Sequence, residues 1–170
     1  RSQSTVTDYP QVDIDTRIAS YEPDKYPTAG ETSHQGTVGV YDITTNKTIF
    51  LNTPIIQNNQ NNQDTPVYFT NIAWSPDSKT IYMLELNRDQ NDCRLVSYDA
   101  ITGEKKAERY RETSEKYVEP MHPIQFLPWD DNLFILQSQR DGYNHLYLYN
   151  IKGELVKQLT SGTFVVQERS

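Results

Sequence analysis

The 170-residue sequence contains one cysteine, Cys93, and only three histidines. A single cysteine excludes an internal disulfide and any thiolate cage for a metal. Cys93 falls inside a strand-like run, where a cysteine reads as a small buried residue. His34, His122 and His145 are scattered without His-Glu-x-x-His spacing, so no zinc site is expected. There is no phosphate-binding glycine loop, no dinucleotide fingerprint and no Gly-x-Ser-x-Gly elbow, so no cofactor is expected either. His34 follows Ser33, but neighbours on a loop do not make a nucleophile–base pair, which needs a third, orienting group. Positive charge is also scarce. Sixteen Lys and Arg stand against 23 Asp and Glu, for a net charge of −7. No basic face or Lys/Arg run is visible, which argues against nucleic acid and anionic lipid as partners. No apolar run approaches the roughly 18 residues that a spanning helix needs. No leader peptide is visible, but a chain that starts inside a longer protein would lack one, so composition does not reveal the compartment.

What the sequence does hold is tyrosine, twelve in all, and a repeated pattern of strands and turns. The chain is organised around residues 72–105. Ile72, Ala73 and Trp74 end one strand-like run, and Ser75-Pro76-Asp77-Ser78 forms a turn in which Pro presets φ at the second position. Thr80 to Leu86, rich in β-branched, aromatic and aliphatic residues, reads as a strand, and Cys93 to Tyr98 as the next. Asp99 to Gly103 is a hairpin turn with Gly at a position expected to need φ > 0. A fourth strand starts at Lys105.

The module recurs. Pro123 to Asn132 repeats the first strand and turn, Leu133 to Gln137 the second strand, His145 to Tyr149 the third and Leu155 to Thr160 the fourth. Tyr98 and Tyr149 are 51 residues apart, and Gly103 and Gly153 are 50 apart. A partial third copy, Val38 to Leu51, places Tyr41 57 residues before Tyr98. Four strands per unit at a period of about 50 is the pattern of propeller blades. The expected fold is therefore all-β, a fragment of a β-propeller with about two and a half four-stranded antiparallel blades. The expected spans are an incomplete blade at about 9–52, a blade at about 67–112, a blade at about 118–160 and the start of another at 163–170. The apolar fraction of 35% is low for a self-sufficient core, in keeping with a segment of a longer protein.

Within this frame, Tyr9 to Asp15 reads as a short strand, Arg17 to Tyr21 as a second run, Tyr26 to Gly30 as an extended turn and Glu31 to Gly36 as a loop. The polar tract Gln57 to Asp64 reads as a loop between blades. Gly103 to Lys116 is ambiguous. Glu104, Glu108, Glu112 and Glu115 recur near helical spacing, yet the repeat calls for a strand through about Arg111, and the repeat outweighs local propensity. Asn46-Lys47-Thr48 matches a glycosylation sequon but falls in a repeated hairpin turn and reads as coincidence. Asp141-Gly142 makes a tight connection, after which Tyr143 and His145 share one side of the next strand. Either they pack the end of the blade, or they face a partner domain or a cavity.

Several strings carry a family resemblance. Tyr26-Pro27-Thr28-Ala29-Gly30, followed by Val38-Gly39-Val40, resembles the "YPKAG…V…V" stretch of the dipeptidyl peptidase IV family. Ser138 to Tyr149 resembles the "SERDGYNHLYLY" string of its bacterial members, and Leu159 to Val166 is similar to their "LTKGDWEV" continuation. The resemblance covers most of the chain from about Tyr9. It implies the N-terminal β-propeller of a prolyl-oligopeptidase-type serine exopeptidase. Such an enzyme releases N-terminal dipeptides, preferring Pro or Ala at the second position, and is periplasmic or secreted. The triad would lie in a C-terminal α/β-hydrolase domain, which becomes the expected partner, together with peptide substrates and a second copy in a homodimer. The propeller would wall the cavity and gate short peptides. The family's amine-binding glutamate pair precedes its "YPKAG" stretch, and no such pair precedes Tyr26 here. The family also places an Arg and an aromatic residue in the crossover equivalent to Tyr117–His122, and the Arg is missing here. Position alone leaves Tyr117, Glu119 and His122 as substrate-cavity residues, with no catalytic residue in this chain. The alternative is a propeller used purely for binding, with no peptidase attached.

Overall fold

The computed structural model of the chain describes residues 2–54 and 68–167, so the Gln57–Asp64 tract lies outside the described residues. All twelve regular elements are strands, paired antiparallel in four sheets, and no helix occurs among the described residues. The chain divides into two compact units, Arg1–Gly36 and Thr37–Ser170. The span 9–52, expected as one incomplete blade, crosses that division.

The first unit is a two-stranded ribbon of β1 (Asp8–Asp13) and β2 (Ser20–Lys25). The second strand lies later than the expected run at Arg17–Tyr21, because it continues through Pro23, which pairs with Pro10. A ribbon has only edges, and edges tolerate proline. Among the described residues of this unit Val6 is the buried apolar one, and Lys25 Nζ donates to its carbonyl at 2.9 Å.

The second unit begins with the hairpin β3 (Gly39–Asp42) and β4 (Lys47–Phe50). Two four-stranded meanders follow. The first is β5 (Tyr68–Trp74), β6 (Thr80–Leu86), β7 (Asp92–Asp99) and β8 (Lys105–Thr113). The second is β9 (Gln125–Leu127), β10 (Asp130–Ser138), β11 (His145–Asn150) and β12 (Leu155–Gln158). The segment with near-helical glutamate spacing is thus strand β8, paired along its length with β7. Cross-strand pairing and burial on a sheet outweigh a weak helical preference.

The core explains the sequence of β6. All seven of its residues are buried, because the strand is covered on both faces. Ile81 and Met83 join Val96, Tyr98 and Leu51 on one face, against hairpin β3–β4. Tyr82, Leu84 and Leu86 join Phe134, Leu136, Tyr147 and Tyr149 on the other, against the second meander. A strand buried on both faces reads as a continuous apolar run rather than an alternating one. By contrast, β12 is exposed throughout.

The repeat is physical as well as textual. Asp42 Oδ1 accepts from the Thr44 N–H at 2.8 Å, Asp99 Oδ1 from Ile101 and Thr102, both at 2.9 Å, and Asn150 Oδ1 from Lys152 and Glu154, both at 3.0 Å. The same side-chain-capped turn is used three times. The turn glycines also repeat their packing. Gly103 (φ +78°) lies so close to β4 that an added Cβ would stand 2.5 Å from the Phe50 carbonyl oxygen. At Gly153 (φ +91°) an added Cβ would stand 2.0 Å from the Arg109 carbonyl oxygen on β8. Each glycine turn thus seats its sheet on the outer strand of the one before. Residues 163–166 form no strand among the described residues; the Val166 N–H donates to the Asn144 carbonyl at 2.9 Å.

Candidate functional site

The two meanders enclose a cleft of about 350 Å³. Its floor is apolar, made by Leu84, Cys93, Val118 and Leu136, and its walls come from the end of β8, the crossover after it and the end of β10. The crossover is extended, and successive side chains alternate. Val118 is buried in the core, while Tyr117 and Glu119 are exposed and line the cleft. Backbone bonds hold this segment: the Val118 N–H donates to the Gln90 carbonyl at 2.7 Å and the Ser114 N–H to Asn91 at 3.0 Å. Asn71, in the left-handed region (φ 53°) at a bulge in β5, donates from Nδ2 to the Pro120 carbonyl at 2.9 Å.

Of the three residues marked by position, the structure therefore brings Tyr117 and Glu119 together. His122 lines a different cavity, with Gln125, Ile135, Gln137 and Leu146. The two prolines around His122, Pro120 and Pro123, keep the chain extended and carry it past the cleft.

The cleft's polar wall centres on residues to which position gave no role. The Arg140 guanidinium lies 4.0 Å from the Tyr147 ring centroid and 4.8 Å from that of Tyr110. Its Nη1 donates to the Tyr149 hydroxyl at 2.7 Å, Nη2 to the Tyr110 hydroxyl at 2.9 Å and Nε to Ser138 Oγ at 3.0 Å. The Tyr110 hydroxyl in turn donates to Glu112 Oε2, and Ser138 Oγ donates to the same oxygen at 2.8 Å. Two hydroxyl bridges therefore join Arg140 on the second meander to Glu112 on the first. Burial opposes the Arg140 charge, but the Tyr149 bond and the tyrosine and Glu112 oxygens around it hold its pKa above the usual value. Burial and the Glu112 bond push the Tyr110 phenol well up, so it stays protonated and remains a donor. Burial and the charge of Asp141 push the Tyr147 phenol up to about 12. The Tyr147 hydroxyl is buried without a hydrogen-bond partner in good geometry.

Two groups outside the polar wall, His145 and Cys93, are held in buried, structural settings. His145 is fully buried. Its Nε2 donates to the Gly162 carbonyl at 3.0 Å, since a carbonyl only accepts, and its Nδ1 then accepts from the Thr160 hydroxyl at 3.1 Å. Phe164 packs edge-on against it at 5.1 Å. Of the two readings open for Asp141–His145, the end-packing one fits His145. Cys93 is buried, and burial pushes its thiol up to about 12, which makes it inert at neutral pH. Among the described residues no group of three or more His, Cys, Asp and Glu converges as a metal cage would require. No helix among them is long and apolar enough to cross a membrane, which says nothing of a membrane β-barrel.

Sequence reasoning passed over Arg140 and Glu112 although both lay in quoted strings. The available signal was strand parity. Glu112 is the register partner of buried Cys93, and Ser138 shares a face with Phe134 and Leu136, so both point into the space between sheets.

Antiparallel four-stranded meanders seated on one another through repeated glycine turns define a partial β-propeller. The family description "Dipeptidyl peptidase IV (DPP IV) N-terminal region" matches residues 2–170, and the chain belongs to that family. A crystal structure of a Bacteroides ovatus ATCC 8483 protein assigned to dipeptidyl aminopeptidase IV is 45% identical over 94% of this chain, with a TM-score of 0.79. The crystal structure of Porphyromonas gingivalis dipeptidyl peptidase 4 matches 97% of the chain at 24% identity with a TM-score of 0.75, a likeness of fold alone. The chain spans 24% and 22% of those two proteins' lengths.

Proposed function

We propose that this chain is the non-catalytic propeller segment of a serine-type dipeptidyl peptidase. Here it walls and gates the substrate cavity, and the longer polypeptide carries the nucleophile in a C-terminal α/β-hydrolase domain. The observation that supports this most is the family match over residues 2–170, together with 45% identity to the Bacteroides ovatus protein. In this reading the enzyme releases N-terminal dipeptides, prefers Pro or Ala at the second position, and works in the periplasm or outside the cell, with a homodimer as a further expectation. Tyr117 and Glu119 face the cavity from the crossover, and His122 contributes from the neighbouring cavity.

A chromogenic substrate with a free N-terminus, Gly-Pro-p-nitroanilide or Ala-Pro-p-nitroanilide, tests the proposal. The longer polypeptide is expected to release p-nitroaniline, and acetylation of the substrate's N-terminus is expected to stop it. The 170-residue chain alone is expected to release none. No turnover by the longer polypeptide would favour a propeller that only binds, and turnover by this chain alone would place the chemistry here.

A further inference from the structure

We propose that the cleft between the two meanders binds a free α-amino acid with an apolar side chain, through Glu112 and Arg140. The inference does not depend on the peptidase reading; it follows from what this pair leaves uncommitted. Glu112 receives both of its hydrogen bonds on Oε2, from Tyr110 and Ser138, and Oε1 has none among the described residues. A guanidinium carries five N–H donors. Three of those of Arg140 are spent on Ser138, Tyr110 and Tyr149, so two remain.

The spacing selects the ligand. Glu112 and Arg140 stand one hydroxyl oxygen apart along either bridge, and both line the same cleft. A ligand that satisfies both carries an ammonium and a carboxylate on one carbon, as an α-amino acid does. A longer peptide holds its two end charges much further apart. The aromatic rings and hydroxyls fix the guanidinium before binding, which limits the ordering cost. The ligand's side chain would lie on the floor of Leu84, Val118 and Leu136, where an apolar group is favoured. The volume of about 350 Å³ is ample for one residue.

Calorimetric titration of the longer polypeptide with L-leucine tests the proposal. Saturable binding is expected, weakened about tenfold or more in Glu112→Gln and in Arg140→Gln, the loss of one charge-assisted contact each. Because either substitution could loosen the sheets, the unaltered protein is also titrated with N-acetyl-L-leucine and with L-leucinamide, each of which lacks one charge. Both are expected to bind at least about tenfold more weakly than leucine. Absence of leucine binding, or equal binding of the blocked compounds, overturns the proposal. Its outcome is separate from p-nitroanilide release, so either result can stand without the other.

Discussion

Glu85 is the most deeply buried carboxyl among the described residues. It is 1% exposed on β6, and it accepts a hydrogen bond from the Tyr98 hydroxyl at 2.5 Å. Its register partner, Arg94, bonds to Asp92 at 2.6 Å instead. Burial raises the Glu85 pKa, against smaller opposing effects of the Tyr98 bond and of Lys105 and Arg94. The folded state therefore holds this proton more tightly than the unfolded chain does. The contribution is favourable below the unfolded carboxyl range and is lost as pH rises through the raised folded value. Glu85→Gln should flatten this loss, with a gain of about 1 kcal/mol at pH 8 over the parent and little or none at pH 4. Thermal melts of both proteins across that range check the expectation. Arg140→Lys tests the bridging network in the same way. Lysine keeps the charge but loses the planar fork that meets three hydroxyls at once, so a destabilisation of about 2 kcal/mol is expected by denaturant unfolding. At this scale the sequence revealed little. Tyr117, Glu119 and His122 were named on position alone, and the structure sets the first two on one cleft and His122 on another cavity; a buried Glu within an apolar run gives no sign of its partner, and Arg140 acquires meaning only once the strands around it are placed.

At the scale of elements, the turns were the legible part. Asp42, Asp99 and Asn150 stand in the same place in three turns, and in each the side chain caps the backbone ahead of it. Gly103 was legible as a position needing φ > 0 and Gly153 as its repeat 50 residues on, but their second role was hidden. Each also makes room for a neighbouring sheet's carbonyl, a contact between residues more than 40 apart at Gly153 and Arg109. Gly153→Ala therefore carries both backbone strain and a collision with rigid main chain. It should cost more than about 2 kcal/mol, well above the roughly 1 kcal/mol of a left-handed turn site without the contact. Gly142 (φ +97°) is such a site, since an added Cβ would meet nothing within 4 Å, so Gly142→Ala is the matched control in the same unfolding experiment. Strand β8 shows where local signals fail: its glutamates follow a helical rhythm on the page, while pairing with β7 decides the outcome.

At the scale of the whole molecule, the two faces of the second meander differ. One carries Phe134, Leu136, Tyr147 and Tyr149, all buried against the first meander. The other carries Leu133, Ile135, Leu146 and Leu148, which are only half-buried. In the first meander both faces of the central strand are covered, so the repeat itself calls for a further sheet over the second. The low apolar fraction of the chain fits the same account, since a wedge shares its core with neighbours on both sides. The most direct test is an experimental map of the longer polypeptide at side-chain resolution. The account predicts a third four-stranded antiparallel sheet, continuing the chain beyond Gln167, packed on Leu133, Ile135, Leu146 and Leu148 as β9–β12 packs on β5–β8. A map showing that face open to solvent, or covered by helices, would contradict it.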